Sequence, residues 1–248
     1  HAKIALIRKE TKGKIKKFAF LGTGNFNEKT AKIYADHGYF TTHEGLTNDL
    51  ETLFYFLEDH QKQCNFNHIL VPNCNLIPTF LQLIEREIQN VKNGGKGYII
   101  IKMNGLEEPT MITALYKASE AGVKIDCIIR GICCLKPGEP YSKNIRVIRI
   151  VDRFLEHARV CLFYNNGENN LYLGSADWMK RNLHRRVECV FPVFDPENKK
   201  ELIDLLNIQL KDNVSARLIG SNLENIKIKN GEKPIRAQFA TYEYLSKK

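Results

Sequence analysis

No apolar run in this 248-residue chain approaches the roughly 18 residues needed to cross a membrane, and no secretory leader opens it. Metal-ligand and redox spacings are missing as well. The seven cysteines include the adjacent Cys133 and Cys134, and Cys127, Cys161 and Cys189 within apolar runs, but no C-x-x-C pair. An odd thiol count of this kind is expected in a reducing cytosol, with free cysteines acting as small buried hydrophobes. No carboxylate pair and no His/Cys/Asp cluster has ligand spacing, so no metal site is expected within the chain. Acidic charge is also short: 28 Asp+Glu face 37 Lys+Arg, a net charge of +9. That excess suits an anionic partner such as a nucleotide, a phosphate polymer, nucleic acid or acidic lipid; a soluble basic surface is the bland alternative. Position 1 is His rather than Met, so upstream sequence is expected.

What is present is a repeat. Glu156 to Asp177 reads EHARVCLFYNNGENNLYLGSAD. His157, a spacer and Arg159 lead into the apolar run Val160 to Tyr164 and a turn of Asn and Gly. A second apolar run follows and ends in Gly174-Ser175-Ala176-Asp177. Side chains alternate along a strand, so His157 and Arg159 share a face. The chain opens on the same pattern: His1-Ala2-Lys3, the run Ile4 to Ile7, the turn Thr11-Lys12-Gly13-Lys14, and Phe18 to Leu21 ending in Gly22-Thr23-Gly24-Asn25. One His-x-cation is nearly worthless as a signal; two, each with a hairpin and a matching glycine cluster, indicate a duplicated half-site.

The remaining pattern is α/β. Glu28 to Asp36 predicts a short helix capped by Asn27 and carrying Tyr34. Thr47 to Glu58 predicts a second helix. The polar stretch Asp59 to Asn67 suggests a boundary near residue 67, dividing the chain into 1–67 and 68–248. An amphipathic helix is expected over Leu76 to Val91, ended by Asn93-Gly94-Gly95. Strand Tyr98 to Met103, a helix from Pro109 to Ala121 and strand Lys124 to Arg130 form a β-α-β unit that favours parallel pairing. Strands are expected at Ile145 to Val151 and Val187 to Val193, with helices at Pro196 to Leu210 and Ile235 to Leu245. Gly220 to Pro234 reads as loop.

Paired His-x-cation half-sites suit phosphoryl transfer. A neutral imidazole is a good nucleophile toward phosphorus, neighbouring cations favour the neutral form, and a second imidazole can move protons near pH 7. Lys3 and Arg159 would grip phosphoryl oxygens through charge-assisted hydrogen bonds, and Arg130, at a strand end, would add a guanidinium fork. Thr23, Ser175 and the glycine amides would supply neutral donors, while Asn25 and Asp177 would orient an imidazole. Lys180, Arg181, Arg185 and Arg186 form a basic run that reads equally as a solvated edge or a polyanion path. Tyr34 reads as packing. His37, His43, His60, His68 and His184 lack the repeat context and read as structural.

The double motif resembles the phospholipase D superfamily. That pattern carries an Asp five positions after the cation, where this chain has Arg8 and Tyr164; the departure argues against a standard phosphodiesterase. The longer matches HAK, LGTGNFNEKTAKIYAD, RGIC, IVDRFLEHARV, GSADWMKRNLHRRVE and the late RAQ at Arg236-Ala237-Gln238 resemble the C-terminal half of type 1 polyphosphate kinases.

The resemblance implies a phospholipase D-like mixed sheet flanked by helices: one complete domain, 68–248, plus the C-terminal part of another, 1–67, cut at its nucleophile. It implies reversible transfer of the ATP γ-phosphate to inorganic polyphosphate through a phosphohistidine at His1, with His157 assisting and Tyr34, Arg130 and His157 on nucleotide and phosphate. It further implies Mg²⁺ with ATP, its ligands upstream, a homo-oligomer, and a cytoplasmic location with peripheral membrane association. No nucleic-acid partner is implied, and this region alone is expected to be poorly active. A phospholipase-like hydrolase and a non-catalytic polyanion-binding module are the competing classes.

Overall fold

A computed structural model of the chain describes residues 1–59 and 65–248. It opens with two antiparallel strands, β1 (Lys3–Thr11) and β2 (Lys14–Gly22). Lys12 and Gly13 join them at φ 53° and 74°, the pair of positive angles a two-residue hairpin needs to follow the strand twist. Asn27 caps α1 (Glu28–Ala31), its side chain accepting from Lys29 N and Thr30 N. The sequence predicts a helix continuing to Asp36. It stops instead after one turn because β3 (Tyr34–Ala35) leaves to pair with a distant strand, and tertiary pairing outweighs local propensity.

β4 (Gly38–Thr41) then adds to β2, giving a three-stranded sheet. α2 (Glu44–Glu58) starts before the expected Thr47 because His43 caps it, Nδ1 accepting from Leu46 N. The polar stretch that suggests a boundary falls largely on residues 60–64, His60 among them, outside the described residues.

The rest of the chain builds one large sheet. In order it supplies α3 (Leu76–Lys92), β5 (Tyr98–Met103), α4 (Pro109–Glu120), β6 (Lys124–Ile129), β7 (Ile145–Ile150), β8 (Leu155–Glu156), β9 (Arg159–Phe163), β10 (Asn170–Gly174) and α5 (Lys180–His184). β11 (Val190–Pro192), α6 (Pro196–Leu210), β12 (Ala216–Ile219), β13 (Asn225–Lys227) and α7 (Ala237–Leu245) follow. Eight strands lie in the order β11-β10-β9-β5-β6-β7-β12-β13. β5, β6 and β7 run parallel, as the β-α-β pattern requires, and β9 runs antiparallel to β5. β13 falls in the stretch read as loop; it is three residues long and exposed, so no alternation marks it.

Strand alternation divides the interior into two cores. Ile99, Ile101 and Met103 join Phe80, Ile84 and Leu115 of α3 and α4 on one face. Ile100, Val160, Leu162 and Leu173 face the other way, onto Leu46, Leu50 and Leu53 of α2, Ala19 and Leu21 of β2, and Leu202 and Leu206 of α6. The opening hairpin and α2 therefore share a core with the later strands. Among the described residues no helix is long and apolar enough to span a membrane. Cys127, Cys161 and Cys189 are free and buried, and burial pushes the Cys189 thiol up to about 12. Cys74 is disulfide-bonded, which corrects the expectation of free thiols throughout.

Candidate active site

β9 begins just after His157, and β5 and β6 end just before Asn104 and Arg130. Because β9 runs antiparallel to β5 while β6 runs parallel to it, these three residues lie on one edge of the sheet. β2 and β10 end just before Thr23 and Ser175 on the same side. Val187 O accepts from Ala2 N at 2.9 Å, which holds His1 against the segment after α5. β3 and β8 pair Tyr34 with Leu155 and Ala35 with Glu156, and this ladder carries Tyr34 and Asp36 to His157.

The two half-sites interlock through acids that sequence reasoning does not identify. Thr23 Oγ1 donates to Asp36 Oδ1 at 2.8 Å, and the Asp36 oxygens lie 2.9 and 3.0 Å from His157 Nδ1. Ser175 Oγ donates to Glu188 Oε2 at 2.5 Å, and that oxygen lies 2.9 Å from His1 Nδ1. Each acid stands 13 residues after its hydroxyl, and each serves the histidine of the other copy. The shared interval was the readable signal. A carboxylate accepting at Nδ1 fixes the proton there and leaves Nε2 with its lone pair outward. Thr23 and Ser175 thus hold acids, where the sequence predicts contact with phosphate.

The cations differ between copies. Arg159 is 5% exposed. It donates from Nε and Nη2 to Asp177 at 3.3 and 3.0 Å, and from Nη1 to His157 O at 2.8 Å and Thr23 O at 3.3 Å. Asp177 also accepts from Asn104 N and Gly105 N at 2.7 and 3.2 Å. Asp177 thus faces Arg159, whose Nη1 also lies 3.3 and 3.1 Å from the two ring nitrogens of His157. Lys3 belongs to the copy whose motif ends in Asn25 and not in an acid. Its Nζ lies 3.0 and 3.2 Å from the two ring nitrogens of His1, and burial draws its pKa down to about 8.

Arg130 donates from Nε to Asn104 Oδ1 at 2.7 Å, while Asn104 Nδ2 donates to His157 O at 3.2 Å. Asn104 thereby ties the expected guanidinium fork to the histidine; only a long-range contact gives it that role, so the sequence does not mark it. Burial lowers the Arg130 pKa, and Asp177, Arg159 and Tyr34 are among the charged or ionisable groups acting on it. The Tyr34 ring packs against the His157 imidazole, with centroids 4.8 Å apart and the planes tilted by 52°. Asn25 lines a small cavity with Phe26, Tyr34 and Asp36.

Of the basic run, Arg186 acts electrostatically on Lys3, while Lys180, Arg181 and Arg185 are exposed on or beside α5. Glu188 is fully buried, and burial raises its carboxyl above the ordinary range. His37 is also perturbed: burial, helped by Lys102, lowers it to about 4.

An α/β sheet bearing two histidines on crossed acids, with lysine and arginine beside them, carries a duplicated polar site. The fold is shared with a phosphatidylserine synthase of Haemophilus influenzae, at TM-score 0.58 and 12% identity over 92% of this chain and 66% of that one. Residues 1–63 match the family model described as polyphosphate kinase C-terminal domain 1, and residues 69–238 match that of C-terminal domain 2. The chain belongs to the polyphosphate kinase family.

Polyphosphate kinase of Vibrio parahaemolyticus is 44% identical over 99% of this chain and 36% of its own length. That of Escherichia coli strain K12 is 39% identical over 99% of this chain and 36% of its own. The crystal structure of polyphosphate kinase from Porphyromonas gingivalis superposes at TM-score 0.94 with 48% identity, over 99% of this chain and 38% of that one. The chain thus spans little more than a third of the relatives it matches.

Proposed function

We propose that this region is the catalytic part of a polyphosphate kinase that moves the γ-phosphate of ATP reversibly onto inorganic polyphosphate through a phosphohistidine at His1. The observation that carries the reading is the pair of crossed acid–histidine contacts, Glu188 on His1 at 2.9 Å and Asp36 on His157 at 2.9 Å. With Glu188 accepting its Nδ1 proton, His1 attacks the γ-phosphorus through Nε2. The P–O bond to the β–γ bridging oxygen breaks, and ADP leaves. A terminal polyphosphate oxygen then attacks the phosphohistidine, the P–N bond breaks, and His1 is regenerated.

Lys3 and Arg130 stabilise charge on the transferring oxygens. His157, held by Asp36 and packed against Tyr34, holds or protonates the transferring phosphate. Thr23, Ser175, Arg159 and Asp177 keep these groups in place, and Asn25 flanks the nucleotide. Arg186 and the exposed Lys180, Arg181 and Arg185 line the polymer's path. Among the described residues no group of three His, Cys, Asp or Glu can hold a metal; Mg²⁺ accompanies ATP, whose phosphate charge it neutralises. We retain 1–67 and 68–248 as the two repeat units, and the whole protein as a cytoplasmic homo-oligomer with peripheral membrane contact.

The reading is tested with the full-length protein, γ-labelled ATP and short polyphosphate. Label passing into longer polymer supports it. Cleavage of an activated phosphodiester without ATP, and no polymer labelling, favours the hydrolase and overturns it.

A further inference from the structure

The Arg236-Ala237-Gln238 segment touches neither histidine, yet it holds the strand that positions one of them. β8 is two residues long, as is its partner β3, and a ladder that short does not persist unsupported. The support comes from the start of α7. Gln238 Oε1 accepts from Phe154 N at 3.0 Å while its Nε2 donates to Phe154 O at 2.8 Å. A side-chain amide thus pairs with both backbone groups of one residue, as another strand would. The same Nε2 donates to Glu156 Oε1 at 2.9 Å.

Glu156 is 4% exposed, and its other oxygen accepts from the buried Lys102 Nζ at 2.6 Å. One residue further on, His157 N and Ala158 N both donate to Ala35 O at 3.1 Å. Arg236 fastens the other end of the segment by donating to both oxygens of Asp152, at 2.9 and 2.5 Å. α7 itself buries only Ala237, so these polar contacts, more than apolar packing, join it to the site.

Resting on the reading above, we propose that Gln238 is a positioning residue: the start of α7 is a latch that sets β8 against β3, and so sets His157 and Tyr34 relative to the transferring phosphate. The contact acts through Phe154 and Glu156 on the backbone of residues 155–158. Releasing it lets the β3–β8 ladder fray and the histidine drift from Asp36, and a displacement of about 1 Å is enough to cost on the order of a hundredfold in rate.

The test replaces Gln238 in the full-length protein by Leu, which keeps the bulk and removes all three hydrogen bonds, and by Glu, which keeps only the acceptor for Phe154 N. Hydrogen exchange followed by mass spectrometry reads peptides covering 33–37 and 153–158, and steady-state kinetics reads kcat. The latch predicts faster exchange in those two segments alone, a kcat lowered by at least about tenfold in Gln238→Leu, at least as large a loss in Gln238→Glu, whose carboxylate would face the Phe154 carbonyl and the Glu156 carboxylate, and unchanged polyphosphate binding. Wild-type exchange in both segments with kcat within about twofold overturns it. Loss of polyphosphate binding together with global exchange in both variants also overturns it, since Gln238 would then support the fold at large. If Gln238→Leu does not fold, Gln238→Glu decides by the same two readouts. Exchange needs no turnover, so a latch seen by exchange in a protein lacking phosphotransfer would reject the function and leave the latch standing.

Discussion

Glu188→Gln isolates the orienting acid on His1 while keeping its volume. The carboxylate accepts from Ser175 Oγ at 2.5 Å and Asn182 Nδ2 at 2.7 Å, and faces His1 Nδ1 at 2.9 Å. A carboxylate can satisfy all three donors; an amide must turn its own NH₂ toward one of them. The loss is one charge-assisted hydrogen bond, about 1.5–3 kcal/mol, or roughly 10- to 150-fold in rate at about 1.4 kcal/mol per decade. Selecting the wrong imidazole tautomer can raise the loss toward about 10⁴-fold, as removal of the orienting acid does in a serine-protease triad.

The assay is single-turnover labelling of His1 by γ-labelled ATP in a quench-flow instrument, with ATP saturating so that binding drops out. In the wild type both the His1 imidazole and the Glu188 carboxyl must be unprotonated for attack, and burial moves the carboxyl above the ordinary range; the Gln variant keeps only the imidazole's limb, so its acid profile should shift from that of the wild type. A Gln variant labelled at the wild-type rate, with the wild-type acid profile, would refute the assignment of Glu188 as the orienting acid.

Lys3 titrates near 8 in the folded protein against an unperturbed 10.5, so kcat/KM for ATP should decline above about pH 8; Lys3→Arg should move that limb up by at least about one unit, because a guanidinium stays charged. Since the unfolded chain binds the extra proton between those two values, wild-type stability should rise with pH across the same window, and chemical denaturation at several pH values checks the sign. Gly24→Ala should lower kcat and destabilise the fold by about 1–3 kcal/mol, because a Cβ there would lie 2.5 Å from Asp36 Oδ2; an active, fully stable variant would show that Asp36 has room to move.

Several of the elements that carry the site are legible in the sequence. Periodicity marks α3, the β-α-β spacing implies the parallel β5–β6 pair, and the duplicated His-x-cation runs set both histidines at strand starts. What escaped was whatever depended on partners far along the chain. α1 ends early because β3 is claimed by β8, and nothing local to Tyr34 announces a partner at Leu155. Asn25 and Asp177 occupy equal places in the repeat, so sequence alone gave them one role. The structure separates them, because Asp177 faces a guanidinium in Arg159. Nothing local to Glu156 or Lys102 links them either; they meet buried, at 2.6 Å, from strands of different sheets.

The most direct test of the central claim locates the phosphoryl group. Full-length protein is labelled with γ-labelled ATP, the adduct is challenged with acid and alkali, and the labelled peptide is mapped. The account predicts an acid-labile, alkali-stable label on His1, abolished by His1→Gln and formed slowly but still at His1 in His157→Ala. Label on His157 that survives His1→Gln would reverse the two roles, and labelling indifferent to both substitutions would contradict the covalent mechanism.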